Sequence, residues 1–187
     1  SAVRVGDRRQ DTMGFTVIGP DRFLGSGHPD LEEMREQDLP AQLGLIESVD
    51  AGRSWTPISL LGEADLHVLR AKGSRIYGYD ATRGRLLRSS DRGSTWETLP
   101  VPGPVVDLAP HPLLADALVM TSVGGPVEGI FVSRDAGNSW ERTGGAVGLL
   151  SWPSAEALLL LAGDGGVLTS RDEGGTFEQV GSLDSPP

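Results

Sequence analysis

An all-β chain of repeated four-stranded units is what the 187 residues predict, and three observations predict it. An octet of the form Ser-x-Asp-x-Gly-x-(Ser/Thr)-(Trp/Phe) occurs four times. The Asp-to-Asp steps are 41, 44 and 37 residues, and a period of this length marks a repeat architecture. The chain also holds 26 Gly and 13 Pro, about a fifth of its residues, which suits short strands and tight turns and opposes long helices.

The octets are Ser48-Val-Asp50-Ala-Gly52-Arg-Ser54-Trp55, Ser89-Ser-Asp91-Arg-Gly93-Ser-Thr95-Trp96, Ser133-Arg-Asp135-Ala-Gly137-Asn-Ser139-Trp140 and Ser170-Arg-Asp172-Glu-Gly174-Gly-Thr176-Phe177. Each residue type has a mechanical reason. An aspartate accepts backbone N–H bonds inside a tight turn. The glycine supplies a positive φ. The Ser and Thr hydroxyls tie the flanking strands, and the closing aromatic wedges against a neighbouring repeat. The octet therefore reads as a hairpin turn, and its aspartates read as staples of that turn, not catalysts.

Strands fill the intervals in order. In the first repeat they are Phe15–Ile18, Arg22–Gly25, Leu43–Glu47 and Trp55–Ser59, with Gly19-Pro20-Asp21 as a turn. The second repeat runs Leu66–Arg70, Arg75–Tyr79, Leu86–Ser89 and Trp96–Leu99. The third runs Val105–Ala109, Ala117–Thr121, Gly129–Ser133 and Trp140–Thr143. The fourth runs Val147–Ser151, Ala157–Leu161, Gly166–Ser170 and Phe177–Val180. Four strands, four times over, is the blade pattern of a β-propeller, and the whole chain, 1–187, is expected to belong to one such domain. Two interruptions stand out. Residues 29–42 form a polar insertion whose Asp30–Asp38 stretch can make two helical turns, with Asp30 as N-cap and Glu33 three residues on. It reads either as a solvated loop or as a lid over a binding face. Thr121–Glu128 is a longer Gly-rich loop. Ser1–Gly6 reads as the tail of a strand from a preceding blade.

The octet resembles the Asp-box, or BNR, repeat of sialidases, sortilin-type receptor domains, some glucanases and photosystem assembly factors. The resemblance implies a turn between the third and fourth strands of each blade, away from the face that carries an active site. It implies architecture and not activity, since enzymes and non-enzymes share the box. Closed propellers in those families have more than four blades. The resemblance thus implies a ring completed by missing blades or by pairing with another chain, because open strand edges invite association. Further phrases are Thr12-Met-Gly-Phe15, Gly19-Pro-Asp-Arg-Phe-Leu24, Gly25-Ser-Gly-His28-Pro29, Ala64-Asp-Leu-His67-Val-Leu69 and Tyr77-Gly-Tyr-Asp80. With them the chain is similar to bacterial glycosyl-hydrolase-like, or WD40/YVTN/BNR-like, repeat proteins. That similarity implies an extracellular, cell-surface or periplasmic protein.

Candidate chemistry gathers near the first strands. Asp11, Asp65 and Asp107 fall at or near the start of their repeats' first strands, the strands that line a propeller's channel. His67 follows Asp65 by two residues, which places both on one face of a strand. His28 and Asp80 end second strands. A cluster of Asp11, His28, Asp65, His67 and Asp80 would suit a polyhydroxyl ligand or a divalent cation. Within it, Asp11, Asp65 and Asp80 are the candidate catalytic carboxylates, and His28, His67 and Asp65 the candidate ligand-binding set. The competing reading makes these aspartates turn caps or acceptors of backbone N–H groups. His111, between two prolines, reads as a turn residue. No spacing matches a metal motif, and no cofactor is expected.

Several function classes lose support. A formal net charge of −10 repels phosphate backbones, so nucleic acid is not an expected partner. The longest apolar run, Ala157–Ala162, is far short of the roughly 20 residues of a membrane-spanning helix. There is no cysteine, hence no disulfide and no thiolate chemistry. A sialidase needs an arginine triad on a substrate carboxylate and a tyrosine nucleophile with a glutamate partner. The two tyrosines are Tyr77 and Tyr79, with Glu63 upstream, but many arginines sit in turns or octets, such as Arg53, Arg92, Arg134 and Arg171. The leading expectation is a non-enzymatic binding or scaffold module for a protein or glycan partner. The alternative is a glycoside hydrolase, which would need two carboxyls about 5–10 Å apart across a cleft.

Overall fold

The computed structural model describes residue 5 and residues 9–183. The expected strand tail at residues 1–6 lies outside the described residues, apart from Val5, which is exposed. Among the described residues are sixteen strands and one short helix. The strands form four antiparallel sheets, each of four sequential strands in simple meander order. These are the four predicted blades.

The chain divides into two compact units, Ser1–Thr98 and Leu99–Pro187. In the first unit, blade one holds β1 (Asp11–Gly19), β2 (Arg22–His28), β3 (Leu45–Ser48) and β4 (Thr56–Ser59). Blade two holds β5 (Leu66–Lys72), β6 (Arg75–Asp80), β7 (Arg85–Ser89) and β8 (Glu97–Leu99). In the second unit, blade three holds β9 (Val105–Pro110), β10 (Leu118–Ser122), β11 (Gly129–Ser133) and β12 (Glu141–Gly144). Blade four holds β13 (Gly148–Ser154), β14 (Ala157–Ala162), β15 (Gly166–Ser170) and β16 (Glu178–Ser182). β1 and β2 are longer than the apolar pattern predicted. Their pairing runs from Gly19 opposite Arg22 to Asp11 opposite His28, across polar residues that alternation alone does not mark.

Each unit has its own apolar core between its two blades. In the first, Leu24 and Leu45 of blade one meet Leu66, Leu69, Ile76 and Leu87 of blade two. In the second, Ala109, Val119, Ile130 and Val132 of blade three meet Leu150, Trp152, Leu158 and Leu160 of blade four. A polar staple accompanies each core. The Leu66 N–H donates to Ser26 Oγ across the first pair of blades, at 3.0 Å. The Leu150 N–H donates to Asp107 Oδ2 across the second, at 2.8 Å. Nearby, Thr121 Oγ1 donates to the Gly148 carbonyl at 2.7 Å.

All four octets fold into the same turn between third and fourth strands. The first Ser hydroxyl donates to the Asp carboxylate at 2.7–2.9 Å and accepts the Gly N–H at 2.7–2.8 Å. The seventh residue donates its N–H to one carboxylate oxygen and its hydroxyl to the other, at 2.6–2.9 Å. The Asp thereby joins the end of the third strand to the start of the fourth. The glycines have φ between 82° and 93°, as predicted, but the residue before each is also left-handed. Ala51, Arg92, Ala136 and Glu173 have φ near 60°, so the turn imposes strain at a non-glycine position that composition did not reveal. The closing aromatics reach the preceding repeat. Trp96 Nε1 donates to Ser59 Oγ at 3.0 Å, Trp140 Nε1 donates to the Pro100 carbonyl at 2.9 Å, and Phe177 packs on the second core.

These bonds hold the octet carboxylates in their charged form. Asp50, Asp91, Asp135 and Asp172 are each lowered from the usual aspartate value of 3.8 to about 2. The seventh residue is the largest cause, through the hydroxyls of Ser54 and Ser139 and the backbone N–H groups of Thr95 and Thr176. Folding therefore favours the ionised side chains. Their contribution is complete above 3.8 and is lost as pH falls towards 2. Urea unfolding midpoints should drop between pH 4 and pH 2.5, and Asp91→Asn should flatten that drop. A midpoint profile unchanged by the substitution would mean that the octets do not govern acid sensitivity.

Candidate functional site

The strand ends of the first unit bring three of the candidate residues together. Asp65 lies immediately before β5, and its side chain is 6% exposed. His67 lies two residues on, and its Nε2 meets Asp65 Oδ2 at 2.8 Å, as the shared strand face predicts. His28 closes β2 in the neighbouring blade, and its Nε2 lies 3.4 Å from the same carboxylate oxygen. The two imidazoles are 40% and 39% exposed, so they form a half-open polar lip over a buried carboxylate. Asp65 Oδ1 is buried without a hydrogen-bond partner.

The other candidates are arranged differently. Asp80 is fully buried at the end of β6, where Arg85 Nε meets its Oδ2 at 2.9 Å and Arg83 reaches the same oxygen at 3.6 Å. Its Oδ1 accepts the Asp65 N–H at 3.4 Å. Asp80 is thus a neutralised structural carboxylate that touches the cluster through backbone. Arg83 also donates to the Glu63 carbonyl, which ties the β6–β7 turn to the segment before Asp65. Asp11 stands opposite His28 in register, but it is exposed, and no ion pair or hydrogen bond among the described residues joins it to Asp65. Asp107 lies within β9, not at its start, and is 2% exposed. Its carboxylate accepts the Leu108 and Leu150 N–H groups. Those backbone bonds make it the staple of the competing reading. His111 is a turn residue, its Nδ1 accepting the Leu113 and Leu114 N–H groups at 3.0 Å. Tyr77 and Tyr79 are buried in β6, which keeps both phenols from a surface substrate.

Among the described residues, no group of three or more His, Asp or Glu side chains is arranged to hold a metal ion. No helix of the described residues is long and apolar enough to cross a membrane. The insertion contains one helix, α1 (Leu31–Glu36), with the Asp30 side chain accepting the Glu32 N–H at 2.8 Å. It is shorter than the two turns expected and buries none of its residues. Sequence reasoning missed Arg83 and Arg85 as partners of Asp80, although both lie within five residues of it. The bend of the β6–β7 hairpin brings both back to the carboxylate.

Four-stranded meander blades with octet turns define a β-propeller protein, and comparison with solved structures agrees. The chain matches YCF48 bound to D1 peptide with a TM-score of 0.62 at 16% identity, over 94% of this chain and 56% of that one. YCF48 from Cyanidioschyzon merolae matches with a TM-score of 0.62 at 15% identity, over 96% and 59%. The GH74 xyloglucanase from Xanthomonas campestris matches with a TM-score of 0.64 at 19% identity, over 91% of this chain and 25% of the enzyme. The chain therefore spans just over half of the YCF48 chains and a quarter of the xyloglucanase. No protein-family model and no curated protein matches the sequence.

Proposed function

We propose that this chain is a non-enzymatic binding module of the Asp-box type, acting outside the cytoplasm and recognising a protein or glycan partner. One observation carries the reading: the two buried candidate carboxylates are already engaged. Asp80 is buried against Arg85, Asp65 is shared by two imidazoles, and Asp11 stands apart on the surface. A hydrolase of two carboxyls needs one that holds a proton and one that stays free, facing each other across a cleft. A half-open histidine lip on a rigid sheet end suits recognition instead. A peptide is favoured as the partner because one of the similar folds is YCF48 bound to D1 peptide.

The test is a panel of chromogenic aryl glycosides, a sialoside included, assayed with the protein and with Asp65→Ala. The expected result is no turnover by either. Turnover that disappears in Asp65→Ala would replace the binding reading with the hydrolase reading and place Asp65 at its centre. Arrays of peptides and glycans, probed with the protein and with His28→Ala and His67→Ala, then identify the class of ligand. Signal lost in both variants is the expected outcome.

A further inference from the structure

We propose that His28 is a proton-operated latch for the insertion at residues 29–42. The ring lies between two acceptors. Its Nδ1 is 2.8 Å from the Ala41 carbonyl, on the returning limb of the insertion. A carbonyl oxygen only accepts, so Nδ1 carries a proton. Its Nε2 is 3.4 Å from Asp65 Oδ2, which already accepts from His67. A neutral ring protonated at Nδ1 turns its Nε2 lone pair on that carboxylate. A doubly protonated ring donates in both directions. Loss of one proton therefore sets the two contacts against each other, and the tautomer that keeps Asp65 gives up Ala41.

The surroundings favour release at Ala41. Asp65 is 6% exposed, so its charge is poorly solvated and competes strongly for the remaining N–H, whereas Ala41 is exposed and can turn to solvent. The insertion is held at its base by the Leu43 N–H on the Gly27 carbonyl and the Gly62 N–H on the Gln42 carbonyl. No residue of its helix is fully buried. Ala41 is thus the point at which the helix-bearing limb meets the latch. Around His28 the charged and titratable groups are Asp65 and His67 at the start of blade two and Asp11, its register partner on β1. Asp30 in the insertion is engaged by Glu32 N–H, and Asp80 behind Asp65 is held by Arg85.

The absence of cysteine permits a clean probe. A spin label on Glu36→Cys reports the mobility of α1 at about pH 5 and pH 8, which bracket the range where histidine side chains change charge. Circular dichroism at both pH values confirms that the fold is kept. The expected result is a several-fold larger mobile fraction at the higher pH. His28→Gln in the labelled protein should remove the pH dependence. Asp65→Asn should leave the limb held at both pH values, because a neutral His28 then keeps Ala41 without opposing a carboxylate. Equal mobility at the two pH values, or a pH response that survives His28→Gln, would overturn the latch.

Discussion

Asp107→Ala lowers the unfolding free energy of the second unit by about 3–5 kcal/mol, and Asp107→Asn by roughly half as much. The carboxylate is 2% exposed and accepts two backbone N–H groups, one from Leu108 in its own strand and one from Leu150 in the next blade. Truncation leaves both donors without their acceptor, and each buried orphan costs about 1–3 kcal/mol. Asparagine keeps one carbonyl oxygen, so it preserves one bond and turns an amide N–H₂ towards the other donor. The graded series matters because a carboxylate kept for charge, and not for its two acceptor oxygens, would lose as much in Asn as in Ala. Urea titration of the three proteins at neutral pH gives the order directly. Equal stability of all three would show that the inter-blade staple carries no weight. Leu150 lies in the apolar cluster that joins blades three and four, so the same variants should also raise amide exchange in β13 before β12.

The two kinds of staple explain what was legible in the sequence. An octet satisfies its own polar groups within eight residues, so its turn, its carboxylate and its strand boundaries follow from adjacent residues. All sixteen strands could be placed from that punctuation and from the apolar runs between. The inter-blade staples join residues 40 and 43 positions apart, and nothing local distinguishes Ser26 from any strand serine. The site was legible to the same degree. Asp65 and His67 share a strand face through their spacing alone. His28 joins them only because blade one packs on blade two, and the pairing of Asp80 with Arg83 and Arg85 depends on the bend of the β6–β7 hairpin. Asp11 was drawn into the cluster by its equivalent position in the repeat, yet the sheet register leaves it on the surface.

Gly14→Ala should cost the first unit about 3–5 kcal/mol, for a reason separate from backbone conformation. Gly14 is buried in β1, where the strand runs directly against β5. A Cβ there would overlap the Leu66 carbonyl oxygen and press on Leu69 Cβ. Both belong to the core strand of blade two, and Leu66 is further fixed by its N–H bond to Ser26. Backbone cannot turn aside as a side-chain tip can, so relief requires separating the two blades. Gly73→Ala is the matching control. Gly73 has φ 62°, and a Cβ there meets nothing within 4 Å, so its alanine variant measures the conformational cost alone, about 1–2 kcal/mol. Thermal unfolding of the two variants separates the causes. A larger loss in Gly14→Ala, with increased exposure of Trp96 to fluorescence quenchers, is expected because Trp96 packs on the core that the two blades share. If Gly14→Ala were no worse than Gly73→Ala, the close approach of β1 to Leu66 would not limit stability.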